Sequence, residues 1–171
     1  MPDSRSLTFL LGGARCGKSA YAEKLATALP APWTYIATAQ AWDEEMVERI
    51  ALHRARRTKG WSTVDAPFDL ADALRAVPTG QPVLVDCLTL WLSNHMLAEN
   101  DTDACCDELA EILSAPRGHW FVVSNEVGFG IVPDNPLGRR FRDEQGRLNQ
   151  KIAAVSDRVL LVVAGLPMQV K

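Results

Sequence analysis

The residues whose types and spacing carry the most chemistry are Gly12 and Gly17-Lys18-Ser19, within the stretch GGARCGKS (12–19). They satisfy G-x-x-x-x-G-K-S/T, in which small residues let the backbone curl with its amides pointing inward around an anion. A helix opening at Lys18 adds its positive N-terminal end to the same cradle. In such a loop Lys18 reaches the β and γ phosphates of a nucleotide, and the Ser19 hydroxyl serves a magnesium ion. A second metal oxygen commonly comes from an acidic residue at the end of another strand. PVLVDC (82–87) supplies Asp86 at such a place, although Asp86 taken alone reads as an ordinary turn carboxylate.

A second candidate is the histidine in DEEMVERIALHRARR (43–57). At about 100° per residue, Met46, Ile50 and His53 fall on one narrow arc and Leu52 lies off it, so His53 shares the apolar face of a helix. Two readings stand. One is a hydrogen-bonded core imidazole; the other is a nucleophile, since neutral imidazole attacks phosphorus near pH 7 and divides one hard displacement into two easier ones. Arg54, Arg56, Arg57 and Lys59 crowd around it, either as a solvated helix face or as contacts for an anion. Their charge favours the neutral ring. His95 and His119 have no comparable setting and are read as structural.

These groups need a scaffold, and the rest of the chain supplies its outline. Apolar, β-branched or aromatic runs predict strands at Leu7–Leu11, Trp33–Thr38, Pro82–Asp86, Trp120–Ser124 and Val159–Ala164. Helical periodicity predicts helices over Lys18–Leu29, Asp43–Arg57, Phe68–Ala76, Leu88–Ala98, Asp103–Leu113 and Leu137–Val155. Near-continuous apolar strands alternating with helices imply an α/β fold, with a mostly parallel central sheet covered on both faces. The expectation is a P-loop NTPase-like three-layer arrangement in a single domain over residues 1–171, since 171 residues with 47% hydrophobic content make one ordinary core. Ligands bind such sheets at the carboxyl ends of the strands. GGARCGKS, ATAQAWDEE, DCLTLW and SNEVGFGIVP all fall there.

Composition excludes other classes. A net charge of −3 gives no basic field for nucleic acid. The first apolar run, LTFLL, is five residues long, short of the roughly 7–15 of a signal sequence and the about 20 of a membrane span. A cytoplasmic protein is expected. Cys16, Cys87, Cys105 and Cys106 form no C-x-x-C pair and read as reduced thiols. No N-K-x-D guanine-reading stretch occurs, which points away from switch GTPases and toward a small-molecule kinase or nucleotidyl transferase. Gly128 and Gly130 allow a ligand close approach beside Asn125 and Glu126, or simply shape a loop. Arg139, Arg140, Arg142 and Arg147 read either as phosphate or subunit contacts or as helix-surface charge.

Taken in order, GGARCGKS, YIATAQAWDEEMVERIALHRARR, VLVDCLTLWLSN, VSNEVGFGIVPDNPLGRRFRDEQGRLNQ and VLLVVAGLP closely resemble the bifunctional adenosylcobinamide kinase and adenosylcobinamide-phosphate guanylyltransferase family. The resemblance spans nearly the whole chain. It implies phosphorylation of the aminopropanol hydroxyl of adenosylcobinamide from ATP or GTP, with Mg2+ as cofactor. It then implies attack of a histidine on the α phosphorus of GTP, release of pyrophosphate, and transfer of GMP from that histidine to adenosylcobinamide phosphate. The product would be adenosylcobinamide-GDP, on the way to coenzyme B12.

Carried over position by position, the resemblance makes His53 the GMP-bearing histidine; Lys18, read from the phosphate loop, is the other catalytic residue expected. The nucleotide would contact Gly12, Gly13, Ala14, Arg15, Cys16, Gly17, Lys18 and Ser19, then Ala37, Thr38 and Ala39, then Arg54, Ala55, Arg56 and Arg57, and finally Asp65 and Asp86. Ser19 and Asp86 would hold the metal. Asp65 and Asp86 stand where related chains usually carry glutamate, and Cys16 where serine is commoner. A homo-oligomer, a trimer, is also implied. A monofunctional P-loop kinase and a non-catalytic nucleotide-dependent switch are the alternatives for the same loop.

Overall fold

The computed structural model describes residues 5–40, 44, 47–48, 51 and 59–171. In chain order the elements are β1 (Ser6–Gly12), α1 (Lys18–Thr27), β2 (Trp33–Ala37), β3 (Trp61–Asp65), α2 (Leu70–Ala76), β4 (Val83–Asp86), α3 (Leu88–Leu97), α4 (Thr102–Leu113), β5 (His119–Asn125), α5 (Pro136–Val155), β6 (Arg158–Val163) and β7 (Leu166–Gln169). The strands form one sheet in the order β3-β2-β4-β5-β1-β6-β7. Every neighbouring pair is parallel except β6 with β7.

Successive residues of a strand point to opposite faces, and here that alternation divides the core in two. Leu7 and Phe9 of β1, Val83 and Val85 of β4, and Trp120 and Val122 of β5 pack on one face under Leu74, Leu92, Leu109, Leu148 and Ile152 of α2–α5. Leu10, Leu84, Phe121 and Val123 point the other way, against Ala22 and Ala26 of α1. Three layers result, as expected from the near-continuous apolar runs. The helix starts carry their own sequence signals. Asp101 caps α4 by accepting from the Ala104 amide at 3.0 Å, and Asn135 caps α5 by accepting from Gly138 at 2.7 Å, with Pro136 in the first turn.

Two strands escape the sequence reading. WSTVD (β3) has no continuous apolar run because it is a largely exposed edge strand. LPMQ (β7) contains Pro167, which only an edge strand tolerates. The turn before β7 places Ala164 and Gly165 at φ 50° and 79°, a pair of left-handed residues that folds β7 back antiparallel on β6. Of the expected helix Asp43–Arg57, Glu44, Val47, Glu48 and Ala51 are helical and exposed; the remainder lies outside the described residues.

Leu148, 1% exposed, is one of the α5 side chains packed into the larger core layer. Leu148→Ala is expected to cost about 2–5 kcal/mol of unfolding free energy in urea titration; a loss under about 1 kcal/mol would show that α5 repacks freely.

Candidate nucleotide site

The loop 12–19 leaves β1 at Gly12 and enters α1 at Lys18. Glycine is required at both ends. A Cβ on Gly12 would lie 2.5 Å from Cys16 Sγ and 2.6 Å from the Val162 carbonyl oxygen, and one on Gly17, at φ 93°, would press within 3.1 Å of Gly165 Cα. Gly13, Ala14 and Arg15 are open to solvent, so this part of the loop is accessible to a ligand. No side chain caps α1, and its first turn holds no carboxylate. Its amides and the positive end of its dipole are therefore left for an anion.

Lys18 is only 8% exposed, and its Nζ donates to the Gly13 carbonyl at 2.9 Å, which holds the ammonium inside the loop. From the far side, the Gly165 amide donates to the Cys16 carbonyl at 2.7 Å, so the β6–β7 turn braces the cradle. Burial pushes the thiols of Cys87 and Cys106 up to about 11 and about 12, keeping both protonated as packing residues.

Register aligns the other strand ends. Ala37 pairs with Asp65 on one side and with Asp86 on the other. Gly12 pairs with Asn125 on β5, and Asp86 pairs with Val123. Asp86 alternates with Val85, so it shares the α1 face with Leu84. The Tyr35 hydroxyl donates to Asp86 Oδ2 at 3.0 Å, orienting the carboxylate and leaving Oδ1 for another partner. The Asp86–Cys87 peptide is cis.

The structure thus brings Gly12–Ser19, Ala37–Ala39, Asp65 and Asp86 to one edge of the sheet. Thr38 differs from its neighbours. It is fully buried; its hydroxyl donates to the Cys87 carbonyl at 2.6 Å and accepts from the Cys87 amide at 2.9 Å. That side chain fastens β2 to β4, while Ala37 packs half-buried against the core on the α1 face and Ala39 is half-buried. His53, Arg54, Ala55, Arg56 and Arg57 lie outside the described residues.

The remaining histidines have protein partners. His95 meets the Phe68 carbonyl and Asn100, and His119 meets the Ser6 hydroxyl. Arg139 bonds the Pro133 and Asp134 carbonyls, Arg140 pairs with Glu144, and Arg142 with Asp143, which is the pattern of helix-surface charge. Sequence reasoning passed over one polar cluster under the site. Ser124 donates to Asn149 Oδ1 at 2.8 Å, and Gln145 Nε2 reaches both at 3.0 and 2.9 Å. Its signal was the i, i+4 spacing of Gln145 and Asn149 beside the buried Leu148.

A mostly parallel sheet, a glycine-bounded loop opening a helix, and an acidic residue ending a nearby strand define a P-loop protein that handles nucleotides. An ATPase of the type III secretion system of pathogenic bacteria has the same fold, with a TM-score of 0.55 at 11% identity, covering 96% of this chain and 56% of that one. The family model described as cobinamide kinase / cobinamide phosphate guanyltransferase matches residues 8–170, and the chain belongs to that family. It is accordingly an enzyme with two activities, a kinase and a guanylyltransferase. The chain is 49% identical to the bifunctional adenosylcobalamin biosynthesis protein CobP of Pseudomonas aeruginosa, covering 95% of each. It is 37% identical to the bifunctional adenosylcobalamin biosynthesis protein CobU of Salmonella typhimurium, covering 96% of this chain and 99% of that one.

Because the Val162 carbonyl belongs to the backbone of β6, the loop must yield to any side chain at position 12. Gly12→Ala is expected to weaken GTP binding at least about tenfold in calorimetric titration with the circular dichroism spectrum unchanged. Unaltered affinity would show that the loop has slack.

Proposed function

We propose that one phosphate cradle serves both transfers, and that the substrates are adenosylcobinamide and adenosylcobinamide phosphate in the making of adenosylcobalamin, coenzyme B12. In the kinase step ATP or GTP lies with its β and γ phosphates against the loop amides and Lys18. The cobinamide hydroxyl oxygen bonds to the γ phosphorus, the bond to the β–γ bridging oxygen breaks, the hydroxyl proton passes to water, and the nucleoside diphosphate leaves. In the second reaction a nitrogen of His53 bonds to the α phosphorus of GTP, and the α–β bridge breaks to release pyrophosphate. An oxygen of adenosylcobinamide phosphate then displaces the imidazole and takes the GMP.

The observation that carries this reading is the buried Lys18 ammonium inside an amide-lined loop, with Asp86 on the same face of the sheet. Lys18 draws charge from the phosphate being transferred or released, and the loop amides fix the chain of phosphates in line. The donors at this edge suit a magnesium ion, which takes few protein oxygens and keeps water and phosphate as its other ligands. Ser19 Oγ and the open Oδ1 of Asp86 are the oxygens that would hold it. Bound there, it would neutralise charge on the β and γ phosphates.

Two further proposals accompany this one. The chain works as a single domain in the cytoplasm; no helix among the described residues is long and apolar enough to cross a membrane. It also self-associates, as a trimer. Ile131 at 98% exposed, Phe129 at 85% and Leu166 at 72% are apolar surface that a second copy would cover.

Incubation with GTP labelled at the α phosphorus tests the transferase half. The protein is expected to acquire acid-labile, base-stable label, and His53→Ala to acquire none. Kinase turnover without label on the wild type would reduce the enzyme to a kinase, and undiminished label on His53→Ala would remove that histidine from the mechanism.

A further inference from the structure

β4 ends before its neighbour does. Its last residue, Asp86, pairs with Val123, and β5 runs on to Asn125. Past that point side chains stand in for the missing strand. The Thr89 hydroxyl, in the first turn of α3, accepts from the Asn125 amide at 2.7 Å, and Asn149 Nδ2, on α5, donates to the Asn125 carbonyl at 3.1 Å. Toward β1 the ladder continues, and the Glu126 amide donates to the Gly12 carbonyl at 3.1 Å.

The Asn149 bond and the Gly12 bond sit at opposite ends of one peptide unit. The Asn125 carbonyl and the Glu126 amide share a rigid trans plane, so they point in opposite directions and neither turns without the other. A grip on that carbonyl from α5 therefore constrains the amide that holds Gly12. Gly12 is the root of the phosphate loop, and the next carbonyl, that of Gly13, retains the Lys18 ammonium. Asn149 stands at the head of a short relay of peptide planes that ends on the loop.

The surroundings of Asn149 fix which way its amide faces. Oδ1 accepts from Ser124 Oγ at 2.8 Å and from Gln145 Nε2 at 2.9 Å, which turns Nδ2 to the Asn125 carbonyl. Ser124 and Gln145 are fully buried and Asn149 is nearly so. The cluster is not an economical way to fill a core. Gln145 Oε1 is buried with no hydrogen-bond partner among the described residues, and a partly satisfied polar cluster is worse for folding than an apolar one. Packing alone does not account for it; the direction it imposes on the 125–126 peptide does.

We infer that Asn149 is a positioning residue for the nucleotide, acting through the 125–126 peptide to hold the first carbonyl of the phosphate loop, and with it Lys18, in the binding shape. The inference rests on the reading above, in which that loop holds the triphosphate.

Asn149→Leu keeps the approximate volume and removes the donor. In the nucleotide-free protein the Glu126 amide is expected to exchange with deuterium at least about tenfold faster relative to amides in the middle of β5. GTP affinity is expected to fall at least about fivefold in calorimetric titration. Ser156→Ala serves as the control, because it deletes another buried hydrogen bond beside α5, from Ser156 Oγ to the Ile152 carbonyl at 2.7 Å, outside the relay. It is expected to leave both readings within about twofold of wild type. An unchanged Glu126 amide, an unchanged affinity, or an equal loss of affinity in Ser156→Ala would overturn the inference in favour of a residue that only packs. Should Asn149→Leu fail to fold, Asn149→Asp, assayed at about pH 8 to keep the carboxyl ionised, retains the acceptor for Ser124 and Gln145 and sets an oxygen against the Asn125 carbonyl. The same two losses are expected there, and their absence would overturn the inference equally. A wild type that binds no GTP would instead sink the reading on which the inference stands, while the Glu126 exchange rates would still decide the relay.

Discussion

The phosphate loop has to satisfy two demands that pull against each other. Its amides must face outward, unpaired with the chain, and yet the loop must keep one shape. An ordinary turn meets the second demand by bonding its own amides, which would spoil the first. Here most of the restraint falls on the carbonyls, and the loop's one internal amide bond, from Cys16 to the Gly13 carbonyl, is a long 3.4 Å. Lys18 Nζ holds the Gly13 carbonyl, the Gly165 amide holds the Cys16 carbonyl, and the Glu126 amide holds the Gly12 carbonyl. Each of these bonds fixes the curl from its oxygen side, and the anion-binding side stays open. The glycines at 12 and 17 follow from the same arrangement, because the restraining neighbours stand where a side chain would go.

The rest of the sheet is arranged around that loop. β1 lies between β5 and β6, so both neighbours reach it: β6 through its turn into β7, β5 through Glu126. The parallel strands place their carboxyl ends together, and their register sets Asp65, Ala37 and Asp86 in one row. Thr38 locks that row by a reciprocal pair of bonds to Cys87. Beneath Asn125 the cluster of Ser124, Gln145 and Asn149 ties β5 to α5, a polar foundation on the face of the sheet away from α1. Restraint is thus concentrated at the edge of the sheet that carries the loop.

Much of this was legible in the chain because it depends on backbone. Glycine and lysine spacing specifies the curl almost without regard to context, and long apolar runs specify central parallel strands. The position of Asp86 as a strand-end carboxylate is legible from its place at the end of such a run. The edge strands β3 and β7 were not, because an exposed strand has little apolar pattern and Pro167 argues against one. Thr38 reads in sequence like its neighbours, and no local signal announces that its hydroxyl bonds Cys87, 49 residues away. Nor could spacing alone show that Asn125 carries an orphaned oxygen, which is a property of packing among four distant segments.

The account turns on a single cradle serving chemistry at two different phosphorus atoms. Lys18→Ala tests it most directly, with the phosphorylated product and the protein-bound GMP both followed in one preparation. Both rates are expected to fall together by at least about a hundredfold, since the same ammonium steadies the γ-phosphoryl group in one reaction and the departing pyrophosphate in the other. Loss of the kinase with guanylylation at the wild-type rate would contradict the account and require a second nucleotide site.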